Sequence, residues 1–272
     1  MPLAVCATPI GNLEDVTLRV LAELRDADVV LCEDTRHTRG LLARHEIDAT
    51  LLSYHEHNEA RREADVLGRL REGKRLALVT DAGLPAISDP GARLIAAARA
   101  ASVPVVVLPG PSAVETALVA SGLAAEGYRF VGYVPRRNGE RARLWAELAT
   151  VRLPVVAFES PQRLPATLRS LADAEPDRRL AVCRELTKRF EEVVCDRAAA
   201  LAKRFAVAPK GEITLVIAAA GATERDDTAA LAAVSDLVGA GLPRRRAAAI
   251  VSSLAGGSAN ALYRESLARE RG

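Results

Sequence analysis

The sequence predicts an α/β protein, and three observations indicate that class. Short apolar runs alternate with longer amphipathic segments from the N-terminus to about residue 220. The short runs are almost continuously apolar, which is typical of strands buried on both faces of a sheet. Apolar residues make up 49% of the 272 residues and charged residues 26%, so the chain can bury the core of one large or two medium domains.

The pattern predicts strands joined in most places by helices. In chain order the predicted strands span 3–7, 29–32, 75–79, 104–108, 155–158, 180–183 and 213–218. Strands joined by helices predict a mostly parallel sheet with helices on both faces. Asp89-Pro90 and Ser160-Pro161 each predict an N-cap followed by proline at the first helical position. Residues 112–115 fit a capping box, in which Ser112 caps a helix and Glu115 completes the cap.

We expect three segments along the chain. They are an N-terminal α/β domain at 1–112, a C-terminal α/β domain at 113–221 and a helical tail module at 222–272. Polar residues at 222–227 interrupt the strand and helix pattern, and the chain beyond them is rich in alanine. Two helices are predicted in the tail on either side of Gly256-Gly257, with three consecutive arginines at 244–246 beginning the first.

The charge balance excludes a protein that coats nucleic acid with a generally basic surface. Lys and Arg number 37 against 35 Asp and Glu, for a net charge of +2, so any affinity for phosphate has to come from local patches. Aromatic residues make up 3% of the chain, which disfavours an extended stacking platform for single strands.

The longest uncharged candidate for a membrane span, at 100–114, contains three prolines. With no basic segment before an apolar run at the N-terminus, we expect a cytoplasmic protein without a membrane partner.

The cysteines are expected to be buried, reduced thiols. Cys6, Cys32, Cys183 and Cys195 show no C-x-x-C spacing, and three of them lie within predicted strands. No His or Cys spacing accompanies the acidic residues, so we expect no metal.

Four polar or glycine-rich segments lie at or beside the ends of predicted strands, at 7–13, 33–37, 80–91 and 108–113. Ligands of open parallel sheets bind at the carboxyl ends of the strands, so these loops predict a pocket. The chain has no G-x-G-x-x-G and no P-loop, which removes the usual arguments for a dinucleotide or a nucleoside triphosphate. Gly110-Pro111-Ser112 lacks the second glycine of a nucleophile elbow, because Val114 stands there.

Seven motifs, in order over nearly the whole chain, carry a resemblance to a known family. They are Ala-Thr-Pro-Ile-Gly-Asn-Leu at 7–13, Glu-Asp-Thr-Arg-His-Thr-Arg at 33–39, Ser-Tyr-His-Glu-His-Asn-Glu at 53–59, Ile-Ser-Asp-Pro-Gly at 87–91, Leu-Pro-Gly-Pro-Ser-Ala at 108–113, Arg-Glu-Leu-Thr-Lys at 184–188 and Lys-Gly-Glu-Ile at 210–213. Together they resemble the tetrapyrrole methylase superfamily, in the branch that methylates small-subunit ribosomal RNA.

The resemblance implies a two-domain tetrapyrrole methylase-like fold with a C-terminal helical extension. It also implies S-adenosylmethionine as the cofactor, held in a cleft between the domains, and a homodimer. The implied reaction is methylation of the ribose 2′-hydroxyl of a cytidine in small-subunit (16S) ribosomal RNA. The partner would be that RNA or the assembled small ribosomal subunit.

Residues of three loops match segments that contact the cofactor in the superfamily. They are Pro9, Gly11, Asp81, Ala82, Gly83, Leu84, Ser112 and Ala113. Ordinary turns and a helix cap are the alternative interpretation. The sequence departs from the family pattern at Leu84, where threonine is common, and at Gln162, where histidine is common; Gln162 cannot act as a general base.

The hydroxyl that attacks the methyl group is a weak acid, so a base or strong orienting hydrogen bonds should help the reaction. Glu33, Asp34 and His37 are the candidates, with Arg36 holding a phosphate. Each of them could instead belong to a salt-bridged helix start. A second polar cluster at 55–58 is expected to contact RNA or to be structural.

Arginines at the start of a predicted helix form the best local patch for RNA phosphates. They are Arg136, Arg137, Arg141 and Arg143, with Glu140 the one opposing charge between them. Two other functions stay open at this point. One is methylation of a tetrapyrrole precursor, and the other is a noncatalytic nucleic-acid-binding protein whose last two helices imitate a helix-turn-helix.

Overall fold

The computed structural model describes residues 2–221, 227–255 and 259–270. The strands are β1 (Leu3–Cys6), β2 (Val29–Cys32), β3 (Leu51–Ser53), β4 (Leu76–Leu78), β5 (Val105–Leu108), β6 (Arg129–Tyr133), β7 (Val155–Glu159), β8 (Arg179–Arg184), β9 (Glu192–Arg197) and β10 (Ile213–Ile217). The helices are α1 (Leu18–Asp26), α2 (Thr35–Arg44), α3 (Glu59–Arg71), α4 (Ala92–Ala100), α5 (Ala113–Ala120), α6 (Asn138–Leu148), α7 (Leu164–Ala174), α8 (Ala198–Arg204), α9 (Asp227–Gly239), α10 (Arg244–Ala255) and α11 (Ala259–Glu270). A short 3₁₀ helix spans Leu13–Asp15.

The first sheet has the order β3-β2-β4-β1-β5, and all of its pairs are parallel. Alternate residues of its central strands enter two separate cores. Leu3 and Val5 of β1 pack on one face, whereas Ala4 and Cys6 pack on the other. Burial on both faces explains why these strands are continuously apolar, and the prediction of a parallel sheet is confirmed here.

The second sheet has the order β6-β7-β10-β8-β9, and only its β6-β7 pair is parallel. The prediction of a mostly parallel sheet is therefore wrong for this half of the chain. Its central strands are also buried on both faces, with Val155 in one core and Val156 in the other. An antiparallel strand covered on both faces has the same continuous apolar pattern as a parallel one, so the sequence could not separate them.

Three strands escaped prediction, and all three lie at sheet edges. They are β3 in the first sheet and β6 and β9 in the second. Each is only partly buried and contains polar or glycine residues. An edge strand packs on fewer neighbours, so its apolar pattern is weaker.

The predicted helix starts differ in outcome. Ser112 is the N-cap of α5, as predicted. Asp89 and Ser160 are not N-caps, because α4 begins at Ala92 behind Gly91 and α7 begins at Leu164. Gly91 has φ +121°, and a Cβ at this position would lie 2.8 Å from the Leu78 Cδ2 atom, so the turn into α4 requires glycine.

Contacts divide the chain into two units, 1–221 and 222–272. The predicted boundary after Ser112 lies inside the first unit, at the N-cap of α5, and stays a prediction as a domain division. In the second unit α9, α10 and α11 enclose a small core that includes Leu231, Val234 and Val251. The predicted break at 222–227 lies outside the described residues except for Asp227, where α9 begins, and the one at Gly256-Gly257 lies wholly outside them.

Cys6, Cys32 and Cys183 are buried thiols, and Cys195 is half-buried. Within the described ranges, no helix combines the length and the apolar content that crossing a membrane requires.

A buried arginine joins three elements around the second sheet. Arg178 is 6% exposed, and its guanidinium donates to the carbonyl oxygen of Ala218 at 2.9 Å and to that of Leu148 at 3.1 Å. It also pairs with the Glu175 carboxylate at 2.9 Å. One side chain therefore satisfies acceptors at the ends of α6 and β10, which would otherwise lose their partner away from water.

Arg178→Ala removes the donor from these acceptors at once. We expect the free energy of unfolding to fall by about 3 kcal/mol or more, because buried carbonyl groups lose their hydrogen bonds. Urea denaturation measures the change. Arg169→Ala, at an exposed position of α7, is the matched control and should change stability by less than about 0.5 kcal/mol. Equal effects of the two substitutions would show that the Arg178 hydrogen bonds contribute nothing specific.

Candidate active site

A cavity of about 660 Å³ lies at the carboxyl end of the first sheet and against the second sheet. Its first wall comes from the loops after β4 and β5 and from the start of α5, including residues 82–84, 87–89 and 109–115. Its second wall comes from strands β6, β7, β8 and β10 and from residues beside them. The predicted pocket at the strand ends is therefore present, although the second sheet contributes as much of it as the loops do.

Two loops of the first wall are fastened to each other by backbone hydrogen bonds. The Thr8 N–H donates to the Gly83 carbonyl at 2.8 Å, and the Gly83 N–H donates to the Thr8 carbonyl at 3.1 Å. The Thr8 hydroxyl donates to the Thr80 carbonyl at 2.9 Å. Gly83 has φ +80°, a conformation that favours glycine.

Aromatic rings are concentrated in the second wall. The chain has four Phe, four Tyr and one Trp, and Tyr128, Phe130, Tyr133 and Phe158 line the cavity. The Phe158 ring lies 5.1 Å from the Phe130 ring and 5.5 Å from the Tyr133 ring, edge to face in both pairs. The wall therefore offers flat apolar contact to a planar ligand group.

The described residues that line the cavity include four carboxylates and no cation. Its lining includes Asp89, Glu115, Glu159 and Glu212, and contains no Lys, Arg or His. Glu159 and Glu212 are ion-paired with Arg163 and Lys188, so the negative potential of the cavity comes mainly from Asp89 and Glu115. It favours a positively charged ligand over phosphate groups.

Glu115 is held by two hydroxyl groups, those of Ser112 and Tyr128. Burial alone would raise the pKa of Glu115, but the two hydrogen bonds outweigh it and hold the pKa below its ordinary value. The predicted capping box is wrong in this respect. The Ser112 side chain donates to the Glu115 carboxylate and does not cap a backbone N–H.

Glu159 is fully buried, and its carboxylate is completely engaged. The Arg163 guanidinium lies 2.9 Å from one oxygen and 3.1 Å from the other. The Ser160 N–H and the Thr167 hydroxyl also donate to this carboxylate. Glu159 therefore fixes the turn that carries Ser160 and Pro161 into the cavity lining.

Asp89 is not the helix cap that the sequence predicts. It is half-buried and lines the cavity. Burial raises the pKa of Asp89 to about 6, with a smaller contribution from the nearby Glu33 and Asp81 carboxylates and an opposing one from the Thr80 hydroxyl. Its carboxylate is therefore a stronger base than an ordinary aspartate.

The three predicted catalytic residues do not line this cavity. Asp34 caps α2 and pairs with Arg36 at 2.7 Å; the hydrogen bonds from Arg36 lower the pKa of Asp34 to about 2, which makes it a weak base. His37 is exposed on α2. Glu33 accepts a hydrogen bond from the Thr80 hydroxyl at 3.3 Å, and burial and the nearby Asp81 raise its pKa.

The predicted cofactor residues divide into two groups. Those that line the cavity are Ala82, Gly83, Leu84, Ser112 and Ala113. Asp81 does not line it, because its carboxylate accepts the Asp34 N–H at 3.1 Å and ties two loops together. Pro9 is buried, and its neighbour Ile10 lines the cavity instead.

Gly11 also serves packing, although the sequence predicts a close approach to a ligand. A Cβ at Gly11 would lie 2.8 Å from the Leu186 carbonyl oxygen. The adjacent Asn12 N–H donates to the Thr187 hydroxyl at 3.0 Å. The missing side chain therefore admits the turn that follows β8, and a contact between Gly11 and the cofactor stays a prediction.

Of the predicted RNA-binding arginines, Arg136, Arg137 and Arg143 are exposed. Arg141 is 7% exposed and donates to the Asn138 side chain at 2.8 Å, so it does not belong to a surface patch. Arg36 is exposed but paired with Asp34. The departure at Gln162 lies at an exposed position outside the cavity lining.

In the cluster at 55–58, Asn58 has a structural role. Its side chain accepts the His55 N–H at 2.9 Å and donates to the Ser53 carbonyl at 3.2 Å. These bonds fix the turn between β3 and α3.

The chain is similar to proteins of known name over nearly its whole length. The family model of the Tetrapyrrole (Corrin/Porphyrin) Methylases matches residues 2–202. A protein of Mesorhizobium japonicum named ribosomal RNA small subunit methyltransferase I is 41% identical over 97% of this chain and 91% of its own length. Proteins of the same name are 40% identical in Neisseria meningitidis, over 96% and 91%, and 42% identical in Micromonospora olivasterospora, over 99% and 88%.

Solved structures support the fold. The uroporphyrin-III-C-methyltransferase of Thermus thermophilus aligns with a TM-score of 0.56 at 23% identity, over 80% of this chain and 94% of that one. A diphthine synthase aligns with a TM-score of 0.66 at 15% identity, over 80% and 90%. The expected fold, with two sheets followed by a helical extension, is confirmed. The chain therefore belongs to the tetrapyrrole methylase family, in the branch of ribosomal RNA small subunit methyltransferase I.

Proposed function

We propose that this enzyme transfers the methyl group of S-adenosylmethionine to the ribose 2′-hydroxyl of a cytidine in small-subunit (16S) ribosomal RNA. The observation that carries the proposal is the similarity to ribosomal RNA small subunit methyltransferase I over almost the entire length of both chains. The cytidine and the 2′ position are what the resemblance to the family implies.

The chemistry of the cavity fits this methyl donor. S-Adenosylmethionine carries a sulfonium and an ammonium, and these positive charges suit a cavity lined by four carboxylates. The aromatic wall suits its adenine. When bound, it supplies an electrophilic methyl carbon. Residues 82–84 and 112–113 would hold it through backbone groups, since they line the cavity and three of the five carry only a hydrogen or a methyl group as side chain.

The same charge pattern argues against a phosphorylated cofactor. Nucleotides such as ATP or NAD bring phosphates that need cations or a glycine-rich helix start. The cavity lining offers no Lys or Arg, and the sequence has neither phosphate-binding motif.

For the RNA, the exposed Arg136, Arg137 and Arg143 beside the start of α6 would contact phosphates. The overall charge of +2 is too small for strong binding to any RNA, which favours a structured substrate such as the assembled small subunit. A cytoplasmic location and a homodimer complete the proposal. Both follow from the resemblance and the substrate.

The function is tested with labelled S-adenosylmethionine and small ribosomal subunits from cells that lack the activity. We expect label on a single ribose, located by mapping the modified nucleotide. Label on a base or on a protein would overturn the proposed reaction. Transfer to a corrin precursor with none to subunits would favour a tetrapyrrole substrate.

Ala113→Phe should block cofactor binding by filling the cavity with a ring. We expect the affinity for S-adenosylmethionine to fall by at least about tenfold, since the larger side chain takes up space that the ligand needs. Isothermal titration calorimetry measures the affinity. Ala120→Phe, at an exposed position of the same helix α5, is the control and should bind normally. Normal binding by both variants would place the cofactor elsewhere.

Arg136→Ala combined with Arg137→Ala should weaken binding to small subunits and leave S-adenosylmethionine binding unchanged. Each lost phosphate contact should reduce the slope of log K against log salt by about 0.7 to 0.9. Filter binding at several salt concentrations measures this slope. Arg19→Ala combined with Arg25→Ala, two exposed positions of α1, is the control pair. An equal loss in the control pair would mean that binding is spread over the surface and not concentrated beside α6.

A further inference from the structure

The reaction proposed above releases a proton from a sugar hydroxyl, and the acidic groups of the cavity differ in their ability to accept it. Three of the four carboxylates already have strong partners. Glu159 is bonded to Arg163, Ser160 and Thr167. Glu115 accepts hydrogen bonds from two hydroxyl groups, and Glu212 pairs with the Lys188 ammonium at 2.9 Å.

Asp89 differs from these three. Among the described residues that line the cavity, it is the one carboxylate that has neither an ion pair nor two hydrogen-bond donors; the nearby Thr80 hydroxyl donates to Glu33 at 3.3 Å. The remaining cavity groups that could exchange a proton are poorly suited. Burial raises the pKa of the Cys183 thiol to about 12, and the pKa values of the Tyr128 and Tyr133 hydroxyls are also raised.

The position of Asp89 is fixed by the backbone around it. The Ala86 N–H donates to the Pro90 carbonyl at 3.2 Å and closes a loop that contains Asp89. Ala86 and Ser88 adopt positive φ values of 72° and 65°, and Gly91 one of 121°. Such conformations persist only where the surroundings enforce them, so the loop presents the carboxylate to the cavity in a defined position.

The aromatic wall lies close to this carboxylate. Tyr133 lines the same cavity, and its side chain is 60% exposed. Burial is the main cause of the raised pKa of its hydroxyl, and the charge of Asp89 is the next. An acceptor ribose that enters the cavity beside Tyr133 would therefore lie near Asp89.

We propose that Asp89 is the catalytic base that accepts the proton of the attacking hydroxyl. This inference rests on the proposed function. In the step, the ribose O–H bond breaks and its proton passes to the Asp89 carboxylate, while the oxygen forms a bond to the methyl carbon. The C–S bond breaks, and its electron pair stays on sulfur, which becomes a neutral thioether. Asp89 then returns the proton to water.

The surroundings of Asp89 determine the pH dependence. Thr80, Glu33 and Asp81 face it from the first sheet and its loops, and Tyr133 faces it from the second. The pKa of Asp89 is raised to about 6, so the base is present above that pH and is lost by protonation as the pH falls through 6. The plot of log kcat/KM against pH should therefore rise with a slope of one below pH 6 and level off above it.

Asp89→Asn removes the base and keeps the shape of the side chain. We expect kcat to fall by about 100-fold or more, and the acid limb of the pH profile to disappear. Binding of S-adenosylmethionine, measured by calorimetry, should stay within about threefold of the wild type, and the Tm should be almost unchanged. Asp48→Asn, an exposed aspartate after α2, is the matched control and should leave rate and profile unaltered.

Glu33→Gln provides a second readout that a structural role would not change. It removes a negative charge beside Asp89, which should lower the pKa of Asp89 and move the acid limb to lower pH.

A D89N enzyme with more than about a tenth of the wild-type kcat would overturn the assignment. So would a parallel loss of S-adenosylmethionine binding, which would make Asp89 a cofactor ligand. Each variant is compared with the wild-type enzyme on the acceptor that the wild type methylates. A failure to methylate ribosomal subunits would therefore count against the proposed function and not against the role of Asp89.

Discussion

The cavity depends on the exchange of two backbone hydrogen bonds between Thr8 and Gly83. These residues follow β1 and β4, which are neighbours in the first sheet, and Thr8 is 3% exposed. Buried backbone groups without partners would each cost about 1–3 kcal/mol, so the two loops stabilise one another. The residues after Gly83 then form the part of the cavity wall that contains Asp89.

The negative potential of the cavity is compatible with folding because most of its charges are compensated locally. Glu159 pairs with Arg163 and Glu212 with Lys188, and neither cation lines the cavity. Glu115 is stabilised by hydroxyl groups, which carry no charge. The carboxylate residues therefore line the cavity, whereas the two cations that neutralise them do not. This arrangement serves a cationic donor, whose product after methyl transfer carries one positive charge fewer and is held less strongly.

The strands that are buried on both faces of a sheet could be predicted from the sequence. Strands such as β1 and β10 were found because every residue in them packs against a core. The pairing direction of β10 was missed, because it depends on connections and not on apolar pattern. Arg141 was misjudged for a related reason. Arg141 and Arg143 are two residues apart on α6 and therefore point to different sides of the helix, and only the fold shows that Arg141 is the buried one.

The motifs that carry the family resemblance are not all ligand contacts. Three of them, at 7–13, 184–188 and 210–213, meet where the two sheets join. Gly11 admits the turn after β8, and Asn12 donates to Thr187 within that turn.

Ion pairs also hold this junction together. The Lys188 ammonium lies 3.1 Å from the Glu185 carboxylate and 2.9 Å from that of Glu212, and the Glu212 N–H donates to Glu185 at 2.9 Å. These contacts set the separation of the two cavity walls. Because the methyl carbon and the attacking oxygen have to be held in line, an error of about 1 Å in that separation would cost as much as about 100-fold in rate. The junction residues therefore act on the chemistry through geometry, although Gly11 and Lys188 do not line the cavity.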